Sequence, residues 1–341
     1  MTRDLKAGPH ISVAPMMDWT NRHCRYFHRQ ISPNVLLYTE MVTTGALIHG
    51  DRERFLRYNM CEHPVALQLG GSDPGELARC AAMGESAGYD EINLNCGCPS
   101  DRVQSGCFGA VLMKEPDLVG QCVKSMQRAV SVPVTVKCRI AIDDEDEEPF
   151  LDRFIDKVAG AGCQIFIVHA RKAWLKGLSP KENRDIPPLN YELVAKMRQR
   201  YPELSFILNG GIRSLNDVTG ALESFNGVMI GRAAYQNPWL LRLIEDHVFK
   251  TDHLPDKRQV IEAMAHYASE EYARYGTPVK SVAKHMIGLF QGIPGARAWR
   301  QSLSPLNPEK FGISEDGNGE VLLRIYDSIW DKENTSRLLA S

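Results

Sequence analysis

The chain is 341 residues long, 43% hydrophobic and 24% charged, which suits one large globular domain with a modest appendage and excludes a disordered or fibrous class. Its 40 basic and 42 acidic side chains leave a formal charge of -2, so a polyanion would have to bind at a local patch. No apolar run reaches the roughly 20 residues that cross a bilayer, Met1–Lys6 leads into Ile11–Ala14 without a secretory core, and nine irregularly spaced cysteines fit neither a disulfide framework nor a zinc site. The expectation is a reduced, cytoplasmic monomer with no metal and no membrane contact.

In chain order, one unit repeats: a short apolar run, a polar or glycine-containing loop, then a helical stretch. The runs are Ile11–Pro15, Val35–Thr39, Val65–Leu69, Glu91–Asn95, Val134–Cys138, Ile165–His169, Phe206–Asn209 and Val228–Gly231. Helices are expected over Pro74–Gly88, Pro116–Val130, Pro149–Ala161, Tyr191–Tyr201 and Leu215–Ser224, several of which open with Pro or Asn near the first turn. Near-continuous apolar strands alternating with helices imply a parallel sheet buried on both faces. Eight such units fit a TIM (β/α)8 barrel, typically ~250 residues. An open doubly wound sheet is the alternative, but it would more often show a Gly-x-Gly-x-x-Gly turn after its first strand, which is absent.

From about Leu243 the periodicity is helical alone, through Val260, Ile261, Met264, Tyr267, Ala268 and Tyr272, with a break at Pro294–Gly295 and a last helix over Glu320–Trp330. The expected α/β chain therefore has a TIM barrel over residues 1–242 and a small helical-bundle domain over 243–341. The run Asp143–Glu148 reads as a solvated acidic loop.

TIM-barrel active sites lie at the C-terminal ends of the strands. Polar groups gather there at nearly every strand: Glu40, Gln68, Asn95, Lys137 with Arg139, His169 with Arg171, Asn209-Gly210-Gly211 and Gly231-Arg232. The last two have the form of a phosphate site, in which glycine lets backbone N–H groups approach an anion and Arg232 adds charge; two glycine turns that merely connect strands to helices are the plainer reading. Lys137 either faces a cofactor anion or pairs with a barrel carboxylate. Gln68 either meets a ring edge or is a satisfied core amide. His169, beside Arg171, points toward an anion or a pyrimidine carbonyl, against a structural histidine. Cys98 stands in the loop after the fourth strand, between Gly97 and Pro99, where a thiol serves as nucleophile or as general acid. Ser105–Gly109 supplies glycines that would let this loop move. Arg297 and Arg300 share a helix face, and Lys172, Lys176, Lys181 and Arg184 form a second basic stretch.

Four strings, Ala14-Pro15-Met16-Met17-Asp18, Asn93-Leu94-Asn95-Cys96-Gly97-Cys98-Pro99-Ser100, His169-Ala170-Arg171-Lys172-Ala173-Trp174-Leu175 and Asn209-Gly210-Gly211-Ile212, resemble the tRNA-dihydrouridine synthases. Lys176–Arg184 looks like the bacterial A class. The resemblance implies FMN, reduced by NADPH, that passes hydride from its N5 to C6 of a flipped-out uridine in the tRNA D-loop, at positions 20 and 20a, while Cys98 protonates C5. It implies an FMN site of Pro15, Met16, Met17, Gln68, Lys137, His169, Asn209, Gly210, Gly211, Gly231 and Arg232, and a uracil faced by Asn95 and His169. It makes the barrel catalytic and the helical domain tRNA-binding, with Arg171, Lys181, Arg184, Arg297 and Arg300 as further substrate contacts. Cys96 departs from the family pattern and raises the question of a bond to Cys98, which next-but-one cysteines form poorly. A free-pyrimidine flavin enzyme of the dihydroorotate dehydrogenase type is the competing function, and a non-catalytic tRNA chaperone a third.

Overall fold

All eight apolar runs form strands, each within about two residues of its expected bounds. In the computed structural model, which describes residues 10–100, 108–312 and 318–338 (backbone only beyond 330), they are β1 (His10–Val13), β2 (Leu36–Tyr38), β3 (Val65–Gly70), β4 (Glu91–Cys96), β5 (Val134–Arg139), β6 (Ile165–His169), β7 (Ser205–Asn209) and β8 (Gly227–Ile230). Every neighbouring pair is parallel. β1 pairs β8 through Val13↔Ile230, and β2 pairs β3 through Leu37↔Val65, so the sheet closes on itself as a TIM barrel. A two-residue strand, Val42–Thr43, pairs in parallel with the end of β3, Val42 opposite Leu69.

The strands close because their residues satisfy two faces at once. On β4, Ile92, Leu94 and Cys96 are fully buried, and the helix Pro74–Ser86 packs so close that a side chain on Gly84 would meet Ile92 and Leu67 at 2.7 Å. The alternate residues Glu91, Asn93 and Asn95 are also buried and share the opposite face. The helix Pro116–Ala129 begins at a proline, and Leu215–Ser224 begins with Ser214 and Asp217 capping one another reciprocally.

The acidic run is more structured than expected. Asp143 accepts from Leu175 N at 2.8 Å, Glu147 accepts from Asn190, and Glu148 binds Lys196 and Arg200 from the first turn of the helix Glu147–Gly160. Helix N-termini favour such acids.

The described chain divides into two compact units. One comprises the residues up to Thr20 with Val35–Gly231; the other takes Asn21–Asn34 with everything from Arg232. The helix Arg22–Ile31 thus belongs with the C-terminal helices. Glu245, fully buried, fixes it there: it accepts from the Ser32 hydroxyl, from Asn34 N at 2.8 Å and from the Thr251 hydroxyl at 2.6 Å. Trp299 is the largest buried side chain of this unit, with its indole N–H on Met286 O and its ring beside Phe290. Among the described residues no helix is long and apolar enough to cross a membrane, and no cluster of metal-binding side chains occurs.

Candidate active site

The loop after β4 is built on Asn95. Its Oδ1 accepts from both Gly97 N and Cys98 N at 3.0 Å, a side-chain-mimicked turn that Asn makes readily. Cys98 O accepts from Ala110 N at 2.9 Å, and the sulfur lies 3.5 Å from the Ser100 hydroxyl. The thiol is half-buried, reachable but not loose. Cys96 points the other way, fully buried among Cys138, Cys122 and Cys163, where burial raises its pKa far above the ordinary thiol value. Both Cys96 and Cys98 are free thiols. Of the expected mobile segment, Ser105–Cys107 lies outside the described residues.

Four cations, Lys137, Arg139, Arg171 and Arg184, surround His169, and the first two also act on the Cys98 sulfur. Lys137 has no hydrogen-bond or ion-pair partner among the described residues, so the carboxylate pairing weighed from sequence is not found there. Burial and then Arg139 lower its ammonium to about 8, while the Cys98 sulfur works in the opposite direction. Arg139, lowered to about 10 chiefly by burial, is a staple: it donates to Gly97 O (3.2 Å), Lys172 O (3.3 Å) and Asn183 O (2.9 Å), joining the thiol loop to the loop after β6. Asn183 is fully buried and holds that second loop through Trp174 and Leu178. Arg171 donates to Pro187 O and Asp185 O. Burial, then Arg139, Lys137, Arg171 and Arg184, hold His169 well below its ordinary pKa, so the imidazole is neutral at pH 7.

Gln68 is fully enclosed: its Nε2 donates to Asn93 and its Oε1 accepts from Asn95, both at 2.8 Å. Its amide is satisfied by the barrel, with one N–H and one lone pair left over. Pro15 and Met16 follow β1, and Thr20 caps the turn by accepting from Met16 N; Met17 is 57% exposed. After β7, Asn209 is anchored on Met229 O, and Gly210 and Gly211 take left-handed φ values of 105° and 75°. The amides of Gly210, Gly211 and Ile212 donate to nothing among the described residues, whereas those of Arg213 and Ser214 are taken by Asp217. His169 packs against Gly210, where an added Cβ would lie 2.6 Å from its ring. Gly231 ends the first unit. Lys181 and Arg184 lie on the loop after β6, exposed and half-buried.

In the second unit, Arg232 opens the helix Arg232–Gln236. Arg297 and Arg300 are both exposed on the helix Ala296–Leu303, and Arg300 donates to Gln291 at 3.1 Å.

Sequence reasoning placed Arg139 beside Lys137 but assigned it no role, and it missed Asn183. Alternation on β5 signals the first; nothing in the sequence distinguishes an asparagine that staples a loop from one on the surface.

A closed barrel whose strand ends bring together a held thiol, a lysine and three amides without partners among the described residues has the layout of a barrel enzyme's active site. The family model for dihydrouridine synthase (Dus) matches residues 12–315. The chain is 56% identical over 311 residues to a tRNA-dihydrouridine(20/20a) synthase of Escherichia coli (strain K12), covering 91% of this chain and 89% of that protein. Proteins of the same name from Shewanella oneidensis (93% of each chain) and Vibrio cholerae serotype O1 (92% and 96%) are also 56% identical. The chain belongs to the dihydrouridine synthase family, a family of flavin-dependent oxidoreductases.

Proposed function

We propose that this chain acts in the cytoplasm to reduce uridine to 5,6-dihydrouridine in the tRNA D-loop, at positions 20 and 20a, with bound FMN and with NADPH as reductant. The observation that carries this reading is the held, half-buried Cys98 thiol with Lys137 and Arg139 beside it, at strand ends that also hold the neutral His169. The name that the relatives bear supports the substrate class.

The residues present fit FMN. Three open amides on a left-handed glycine turn suit its phosphate, and the unpartnered Lys137 ammonium suits an electron-rich ring system. Pro15, Met16, Met17, Gln68, Lys137, His169, Asn209, Gly210, Gly211, Gly231 and Arg232 would hold it. When bound, FMN supplies a hydride from N5 to C6 of the uracil. Cys98 then gives its Sγ proton to C5, so that one hydride and one proton saturate the C5–C6 bond. Lys137 and Arg139 stabilise the thiolate that remains until solvent reprotonates it. Asn95 retains a second Nδ2 hydrogen for a uracil carbonyl, and Arg171 adds positive charge to that side. A base must leave its stack to reach the barrel mouth; Lys181 and Arg184 of the first unit would grip tRNA phosphates, as would Arg297 and Arg300 of the second.

Purified protein should be yellow and, with NADPH, should place dihydrouridine at positions 20 and 20a of an unmodified tRNA, mapped by mass spectrometry of nuclease fragments. Turnover of orotate or dihydroorotate without tRNA, or no dihydrouridine, overturns the reading.

A further inference from the structure

The inner face of β4 is polar where a barrel of this kind ordinarily packs branched aliphatic side chains. Glu91, Asn93 and Asn95 are each buried there, and Gln68 of β3 and Thr135 of β5 stand in register on either side of Asn93. Their hydrogen bonds run in one direction. Asn95 Oδ1 is occupied by two backbone N–H groups, which turns Nδ2 to Gln68 Oε1; that turns Gln68 Nε2 to Asn93 Oδ1 at 2.8 Å, and Asn93 Nδ2 to Thr135 Oγ1 at 2.8 Å. The single hydroxyl hydrogen of Thr135 then goes to Glu91 Oε1 at 2.6 Å, and Tyr38 OH donates to the same oxygen at 2.5 Å.

Each amide in this series could face either way on its own; together they cannot. A carboxylate oxygen that already receives two hydroxyls is an acceptor, so Glu91 fixes the polarity of Thr135, and each residue fixes the next. The last residue fixed is Asn95, whose acceptor end is what the Cys98 loop hangs on. Flipping any one amide would set donor against donor at one link and acceptor against acceptor at the next, inside a dry barrel where unmet polar groups are costly.

We propose that Glu91, Thr135 and Asn93 are positioning residues for the Cys98 loop, acting through a one-way hydrogen-bonded relay that presents Asn95 Oδ1 to the amides of Gly97 and Cys98. The proposal rests on Cys98 being the proton donor only for its consequence in turnover; the relay itself is a property of the barrel.

Thr135→Val removes the hydroxyl and keeps the shape. Two readouts are taken on the FMN-loaded protein: dihydrouridine formation resolved into kcat and KM for tRNA, and hydrogen exchange of the peptide containing Gly97 and Cys98. The expected result is a kcat lower on the order of tenfold at unchanged KM, with faster exchange confined to that peptide; Thr135→Ser, which keeps the hydroxyl, restores both. Thr135→Ala repeats the test should the valine variant fold poorly. Unchanged exchange in the valine and alanine variants, or a serine variant as impaired as they are, overturns the relay. Because exchange is read without turnover, failure of the relay is distinguishable from failure of Cys98 as the acid.

Discussion

Two loops at the same end of the barrel are built on opposite principles. After β4, the amides of Gly97 and Cys98 are both spent on Asn95 Oδ1, and the loop is stapled by Arg139 and Ala110. After β7, the amides of Gly210, Gly211 and Ile212 are unspent among the described residues, on a turn that only glycine takes without strain. A loop that consumes its own donors holds a side chain still. A loop that leaves them open is shaped to receive an anion. Under the proposed function, the first loop carries the chemistry and the second receives the ligand.

Breaking the first loop's function should have the largest effect. Cys98→Ala should lower the rate of dihydrouridine formation by about 10²–10⁴, the usual contribution of a positioned acid, measured in single-turnover assays on pre-reduced enzyme. A change that spares both loops sharpens the contrast. In the second unit, burial lowers His28 to about 3 and His285 to about 2. Because both folded values lie below the unfolded value near 6.5, their stabilising contribution is complete above pH 6.5 and falls as pH drops toward 3. At pH 5 the two together remove about 4 kcal/mol, upper-bound bookkeeping at 1.36 kcal/mol per unit. Urea titration should show that decline, and His285→Gln should shallow it.

Breaking the second loop comes next. Gly210→Ala places a Cβ at φ 105° and 2.6 Å from the His169 ring, so FMN should bind at least about tenfold more weakly in a fluorescence titration. The smallest effect concerns Lys137: its charge is lost as pH rises through about 8, so FMN affinity of the apoprotein should fall a few-fold above that pH. Lys137→Met should make the profile flat over that range.

Much of this fold was legible in the sequence because parallel barrel strands are buried on both faces, so that Ile165–Val168 or Val65–Leu67 stand out as uninterrupted apolar runs. The strand-end residues followed from that, since Lys137, His169 and Gly210 could only fall at the mouth. Partition of the chain was less legible. The helix Arg22–Ile31 occupies the sequence position of a first barrel helix yet joins the C-terminal unit, because Ser32 and Asn34 bond Glu245, more than 200 residues away. No local pattern announces such a pairing. Strand alternation put Gln68 at the mouth and Asn93 on the face of Asn95, but it left open whether Gln68 meets a ring edge or is a satisfied core amide, because its partners Asn93 and Asn95 lie across the neighbouring strand. Arg139 reads from sequence as one more charge beside Lys137, while the structure spends it on three carbonyls.

The division of labour between the two loops is tested most directly by titrating FMN into apoprotein carrying Cys98→Ala or Gly210→Ala. The expected result is wild-type affinity for Cys98→Ala and at least about tenfold weaker binding for Gly210→Ala. Equal loss in both variants, or loss only in Cys98→Ala, would contradict it.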